Sequence, residues 1–486
     1  MRPLKQLYLS AGLATFLLLG CTLGPDYQRP DLVLPDAWRM DYSSASELVN
    51  QKWWLKFNDP ELNRLIDLAL AENLDIKIAA SRVEEYLGLL STTRSQFFPE
   101  IGYNGGAERN RISKEAYGFT PGSDPYYSQY EAALGATWQL DLFGRVQRQN
   151  EAAIARVYET EQGRRGVIMS VITGVAASYI NLRGLDRKLT IANETAESYK
   201  QSLDIFELRH KYGTVSMMEV AQIDSQYQQA IASIPQLEAQ IAAQENLLAA
   251  LIGKNPEGIV RGKELDEMQL PKVPSSLPST LLTRRPDLMQ AEQNLVAANA
   301  EVGVAETLYY PDISITGALG LASADLDDLL DGSAKTWNLG ANITGPIFTF
   351  GRVEGQIQSA EARRNQAEAS YRLAVINAFR DVNDALVSTS SNERTYEAQS
   401  KRTLALRLYA KYAAMRFESG VASYLDVLYA NTELFDAELI TVDAQVSHYT
   451  SLINIYKAMG GGWVDDAATA TETVNVEEKM EQQPIL

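Results

Sequence analysis

The heptapeptide "FGRVQRQ" at Phe143 returns as "FGRVEGQ" at Phe350, 207 residues later. "RHKYGTVSMMEV" (Arg209 to Val220) returns at the same spacing as "RFESGVASYLDV" (Arg416 to Val427), which pairs Gly213 with Gly420 and Ser216 with Ser423. "LIG" at Leu251 is matched by "AMG" at Ala458, again 207 residues on. Neither copy has gained or lost one net position across this span. Two long helices packed side by side impose that rigidity, because one inserted residue turns every later side chain by about 100°. Upstream, "SQFFPEIGYNGG" (Ser95 to Gly106) echoes "TLYYPDISITGALG" (Thr307 to Gly320) at an offset of 212. The extra residues fall between Pro99 and Phe143, among strands and loops, where length changes cost little.

Each copy therefore has the same plan. A helical run (Leu74 to Phe98; Pro286 to Tyr310) ends at a proline that cannot continue it. Two strand-like runs follow, and "FGR" opens a helix of roughly 65 residues that Gly213 or Gly420 turns back into a run of about 37. At 1.5 Å per residue the long helix spans ~95 Å and the two shorter runs together ~93 Å, so they match if stacked end to end. The return runs carry a coiled-coil seam. Val220, Ile223, Tyr227, Ala230, Ile234, Leu237, Ile241, Gln244, Leu248 and Leu251 step by threes and fours, and the run from Tyr424 to Tyr456 does nearly the same. Pro235 inside the first seam is expected to remove one hydrogen bond and kink the helix.

The strand-like runs alternate with period two. Tyr130, Ala132, Leu134, Ala136, Trp138 and Leu140 form one apolar row, Ile313, Ile315, Gly317, Leu319 and Leu321 a second, and Trp337, Leu339, Ala341 and Ile343 a third. This pattern fits a membrane barrel strand and a half-buried soluble sheet equally. Four strands at one end of a ~95 Å rod cannot close a membrane barrel, which needs at least eight. Several chains must pool strands, and three give twelve strands and twelve helical columns. The expected class is mainly α with a β-barrel part: a trimeric 12-stranded barrel continuing into a 12-column helical tunnel.

The N-terminus carries Arg2 and Lys5, an apolar run from Leu7 to Leu19, then Gly20 and Cys21. It reads as a signal peptide over residues 1–20, too short to span a membrane. "LLGC" resembles a bacterial lipobox, with Cys21 the lipidated first residue of the mature chain; the alternative is an ordinary cleaved signal with an incidental cysteine. Cys21 is the only cysteine, which excludes disulfides within the chain. Thr22 rather than Asp follows it, which points to the outer membrane. The formal net charge of −18 argues against nucleic acid. Beyond the signal no run approaches 18 consecutive apolar residues, so a membrane crossing would have to be a closed barrel. Residues 21–60 read as a strap, 61–256 as the first repeat (helices 61–98, strands 100–142, hairpin 144–253), and 257–278 as a linker. Residues 279–463 form the second repeat (helix 279–310, strands 312–349, hairpin 351–460), and 464–486 read as a disordered acidic tail.

Together "CTLGPDYQRP" (Cys21 to Pro30), "WWLKFNDPELNRLIDLALAENLD" (Trp53 to Asp75), "RRPDL" (Arg284 to Leu288), "YPDIS" (Tyr310 to Ser314), "GPIF", the two "FGR" phrases, "SYLDVL" and "MGGGW" (Met459 to Trp463) are similar to the outer-membrane factor family. The resemblance covers nearly the whole mature chain and lies nearest the lipid-anchored efflux branch. It implies an outer-membrane barrel, a periplasmic tunnel with an equatorial collar, and a tip that docks a periplasmic adaptor coupled to an inner-membrane transporter. Phe143, Gly144, Arg145, Phe350, Gly351 and Arg352 then mark the barrel–tunnel junction. Gly213, Ser216, Gly420 and Ser423 become docking candidates, although a left-handed glycine cap explains each glycine locally. The family narrows its aperture with a leucine and, one turn later on the last long helix, an acidic residue. Here those positions hold Leu425 and Tyr429, so the acid is missing. Asp426 and Glu219, equivalent in the two repeats, could supply rings of charge, and a helix-start carboxylate explains each equally.

Of the two histidines, His448 falls in the core-facing register, so a buried side chain is expected rather than a metal ligand. Met217 and Met218 point different ways on a helix, and neither a metal nor a cofactor is assigned. No nucleophile elbow, phosphate loop or paired histidine motif suggests an enzyme. The leading expectation is the passive exit duct of a tripartite efflux pump. A duct for protein secretion and a lipid-anchored coiled-coil scaffold without a pore are the alternatives.

Overall fold

The computed structural model describes residues 22–32, 52–115, 122, 124–270, 282–460, 476, 479 and 480. The signal peptide and Cys21 lie outside them. The chain forms helices α1 (Pro60–Glu72) and α2 (Leu74–Ser95), strands β1 (Glu100–Arg111) and β2 (Tyr126–Leu140), then helices α3 (Arg145–Lys211) and α4 (Met217–Leu251). Helix α5 (Pro286–Glu306) and strands β3 (Asp312–Ser323) and β4 (Lys335–Thr344) follow, and α6 (Arg352–Glu418) and α7 (Tyr424–Ala458) complete it.

Both long helices have 67 residues and both return helices 35, and every boundary of the second hairpin lies 207 positions beyond that of the first. The short helices stack on the return helices. Asn73, which caps α2, donates its amide to the Leu251 carbonyl at 2.7 Å, and Arg285, just before α5, donates to the Ala458 carbonyl at 3.0 Å. The same column joint is thus built twice. Helix α4 runs unbroken through Pro235. In the expected seams Val220, Ile223, Ala230, Leu237 and Leu248 are buried in α4, and Leu428, Phe435, Val442, Tyr449, Ile453 and Tyr456 in α7.

Two boundaries differ from expectation. The second-repeat helix begins at Pro286 rather than at 279, because Arg285 before the proline is held extended (φ −81°, ψ 119°). Strand β4 ends at Thr344, ahead of Pro346, which has no N–H to give a ladder.

A collar wraps the rod at mid-height. A short 3-10 helix (Trp53–Phe57), α1 and residues 259–268 cover Ile168, Ile172, Val175 and Tyr179 of α3 together with Tyr449, Ile453 and Tyr456 of α7. Trp53 stacks on Tyr456 with centroids 5.3 Å apart. One window of α3 is long and apolar enough to cross a membrane, but most of it is buried in this packing. The collar is tied by Asp59, which is fully buried. Its carboxylate caps α1 through Glu61 N (2.8 Å) and Leu62 N (3.2 Å), and accepts from the Tyr179 hydroxyl and Lys263 N, both at 3.0 Å. Gly262 is required there, since a Cβ would stand 2.2 Å from the Asp59 Oδ1.

Of the C-terminal tail expected to be disordered, Val476, Lys479 and Met480 alone are described; they are helical, with Val476 and Met480 packed against α2 and α3. Apolar side chains at i and i+4 give this short piece a face to bury.

Candidate functional site

The four strands form one antiparallel sheet in the order β1-β2-β3-β4, open at both edges. The register lines up Tyr103, Leu134, Leu319 and Trp337 across all four strands. These side chains are 90%, 61%, 65% and 75% exposed. An apolar ladder with nothing packed against it resolves the ambiguity of the period-two pattern, because a half-buried soluble sheet would cover that face. The two free edges require further copies of the chain before a barrel can close.

At the barrel–tunnel junction the two "FGR" copies differ. Gly144 (φ +76°) and Gly351 (φ +86°) each turn the chain into a long helix in a left-handed conformation. Around the first copy, Leu23 N donates to the Phe143 carbonyl at 3.4 Å, and a Cβ on Gly144 would stand 2.8 Å from Thr22 Cα. Phe143 stacks on Tyr310 at 4.8 Å, and Arg145 pairs with Asp312 at 3.1 Å. The second copy is bare. Among the described residues nothing lies near a Gly351 Cβ, Phe350 is fully exposed, and Arg352 hydrogen-bonds to Gln356 on its own helix.

The strap explains the asymmetry. From Thr22 it descends over α3 and α5, where the buried Arg148 guanidinium donates to the carbonyls of Leu23 (2.9 Å) and Gly24 (3.0 Å) and to Asp26 (2.8 Å). Asn299 donates to the Pro25 carbonyl at 2.7 Å, and Arg29 forms an ion pair with Glu292. Cys21 lies outside the described residues, but its neighbour Thr22 sits at the junction.

At the far end Gly213 (φ +73°) and Gly420 (φ +72°) close the long helices, and Ser216 and Ser423 start the return helices. Glu219 and Asp426 are engaged in capping boxes. Glu219 accepts from Ser216 N at 2.8 Å, and Asp426 accepts from Ser423 N at 3.2 Å. Leu425 and Tyr429 are exposed on one face of α7, one turn apart. Sequence reasoning missed an aromatic cluster beside them. Phe206 of α3, Phe417 of α6 and Tyr424 of α7 meet with centroids 4.3 to 6.2 Å apart, and Arg209 lies over Phe206 and Phe417 at 5.5 and 5.8 Å. Their bulk at matching helix ends was the available signal.

Two further groups complete the picture. A cavity of about 1220 Å³ at the column joints is lined by residues that include Arg82, Asp287, Arg380, Asp384 and Lys457. His448 is buried, stacked on Tyr396 with centroids 6.2 Å apart. Burial holds its pKa below the usual 6.5, against the opposing pull of Glu393 and Glu397. Among the described residues no three His, Cys, Asp or Glu side chains converge as a metal site.

The sequence pattern of outer membrane efflux proteins matches residues 65–254 and 277–461, the two repeats. The chain belongs to the outer membrane efflux protein family. The solvent efflux pump outer membrane protein SrpC of Pseudomonas putida is 34% identical over 461 residues, covering 93% of this chain and 97% of its own. The cation efflux system protein CusC of Escherichia coli is 31% identical over 470 residues, covering 95% and 100%. Among solved structures, the CmeC outer membrane channel of Campylobacter jejuni superposes with a TM-score of 0.87 at 24% identity, covering 95% and 98%, and so shares the fold. The protein is an outer-membrane efflux component. Its family architecture is a trimer, in which helical columns continue the barrel into the periplasm.

Proposed function

We propose that this chain is the passive exit duct of a tripartite pump, anchored by an acyl chain on Cys21, gripped at its tip by a periplasmic adaptor and served by an inner-membrane transporter. The observation that carries this reading is the open four-stranded sheet, apolar and uncovered on one face, continuing into helical columns ~100 Å long. A rod of that length bridges toward an inner-membrane partner. The tip turns at Gly213, Ser216, Gly420 and Ser423 are the docking surface, since they are the farthest points from the barrel. Leu425 and Tyr429 form the aperture, three copies of each around the axis. Tyr429 closes by bulk where the family resemblance implies an acidic residue, while Glu219 and Asp426 add negative potential from their caps. SrpC is named for solvents and CusC for cations, and the cargo here is small toxic compounds delivered by the transporter.

Planar bilayers test the reading. The wild-type trimer should show small, infrequent conductance, and Leu425→Ala with Tyr429→Ala should raise it several-fold. A pure trimer that conducts in neither form would favour the pore-less scaffold.

A further inference from the structure

The strap and the C-terminal segment occupy equivalent places in the two repeats. The strap lies over the groove between α5 and α6, where Leu295, Asn299 and Arg364 line a cavity of about 600 Å³ beside Tyr27 and Arg29. At the offsets that relate the repeats, 212 for the short helices and 207 for the long ones, these three positions correspond to Val83, Leu87 and Val157. Val83, Leu87 and Val157 lie between α2 and α3, and Val476 is buried against them, with Met480 packed alongside. Lys479 pairs with Glu84 at 2.9 Å, and Arg94 donates to the Met480 carbonyl at 2.9 Å.

The linings differ in chemistry, and so do the occupants. The second-repeat groove keeps a leucine but presents an amide and a guanidinium at the other two positions, and takes a polar strap through its carbonyls, Tyr27 and Arg29. The first-repeat groove presents valine and leucine, and takes valine and methionine. That groove lies on the collar side of the rod, since Val157 precedes the collar residue Ile168 by eleven residues, which is three helical turns to within about 20°. The sixteen steps from Gly460 to Val476 reach ~50 Å, and Ala458, just before Gly460, lines the same cavity as Arg82, the neighbour of Val83, so the chain has length to spare.

We infer that the α2–α3 groove is a binding site for the chain's own C-terminal residues Val476, Lys479 and Met480, which cover the first repeat in cis as the N-terminal strap covers the second. This surface is independent of the pump reading. The docked residues remove an apolar stripe from periplasmic water.

Two measurements on the full trimer in detergent test it. Lys479 is the only basic residue of 464–486, so trypsin reports on this segment alone there. Cleavage after Lys479 should be at least tenfold slower in the wild type than in the Leu87→Ser, Val476→Asp variant, which leaves the residues on both sides of the scissile bond unchanged, and equal rates would overturn the proposal. The Glu84→Cys, Lys479→Cys pair, whose native side chains meet only at their tips, should be joined by a short bismaleimide, with one linker added per protomer by intact mass and a single-protomer band on a boiled gel. Covalent dimers or trimers would overturn docking in cis, and failure to form any link would overturn docking altogether.

Discussion

Asp59 shows how much of the collar hangs on one carboxylate. It caps α1, holds the Tyr179 hydroxyl and pins Lys263, joining three segments that lie up to 204 positions apart. Asp59→Ala removes a cap worth ~1 kcal/mol and strands buried donors at ~1–3 kcal/mol, so denaturant unfolding should show a loss of about 2–4 kcal/mol. Its capping role was readable in "DPEL", but its distant partners were not, because nothing local marks them. His448 supplies the pH dependence at this scale. Its folded pKa lies below 6.5, so the unfolded chain takes up the proton first, and the stability present above about pH 6.5 is lost as pH falls through the folded value. The drop in melting temperature between pH 7.5 and 5 should be smaller in His448→Gln than in the wild type.

At the scale of elements, the two junction glycines make a matched pair with unequal surroundings. Gly351→Ala meets only the left-handed backbone, at roughly 1 kcal/mol, whereas Gly144→Ala must also push Thr22 aside. Limited proteolysis should therefore release the strap in Gly144→Ala and leave it protected in Gly351→Ala. At the opposite end the trio of Phe206, Phe417 and Tyr424 ties the two hairpins together. Truncating Phe206 and Tyr424 to alanine should loosen that tie and lengthen channel open times in single-channel recordings. The hairpins, their turns and the strands were legible because each obeys a short period that survives in one dimension. The trio was not, since Tyr424 fits the α7 seam equally well whichever neighbour it touches. The docked tail was missed for a different reason: two apolar residues in an acidic run are too few to show a period.

For the whole molecule, the proposed acyl anchor and the sheet have separate tasks. Shared strand edges hold the copies together, so Cys21→Ala behind a cleavable signal should still run as a trimer on a non-boiled gel. The sequence foretold this shared closure through length arithmetic, while the bare ladder of Tyr103, Leu134, Leu319 and Trp337 needed coordinates to show that the apolar rows align across all four strands on one exposed face. The identical 67- and 35-residue helices of the two halves carry a last implication. Because both hairpins stand on one ruler with a heptad seam, stature can change only in steps of seven residues in every column together, or ~10 Å. Ducts of this design should come in discrete heights, and a cell whose two membranes drift apart by less than a step must take up the difference in the adaptor.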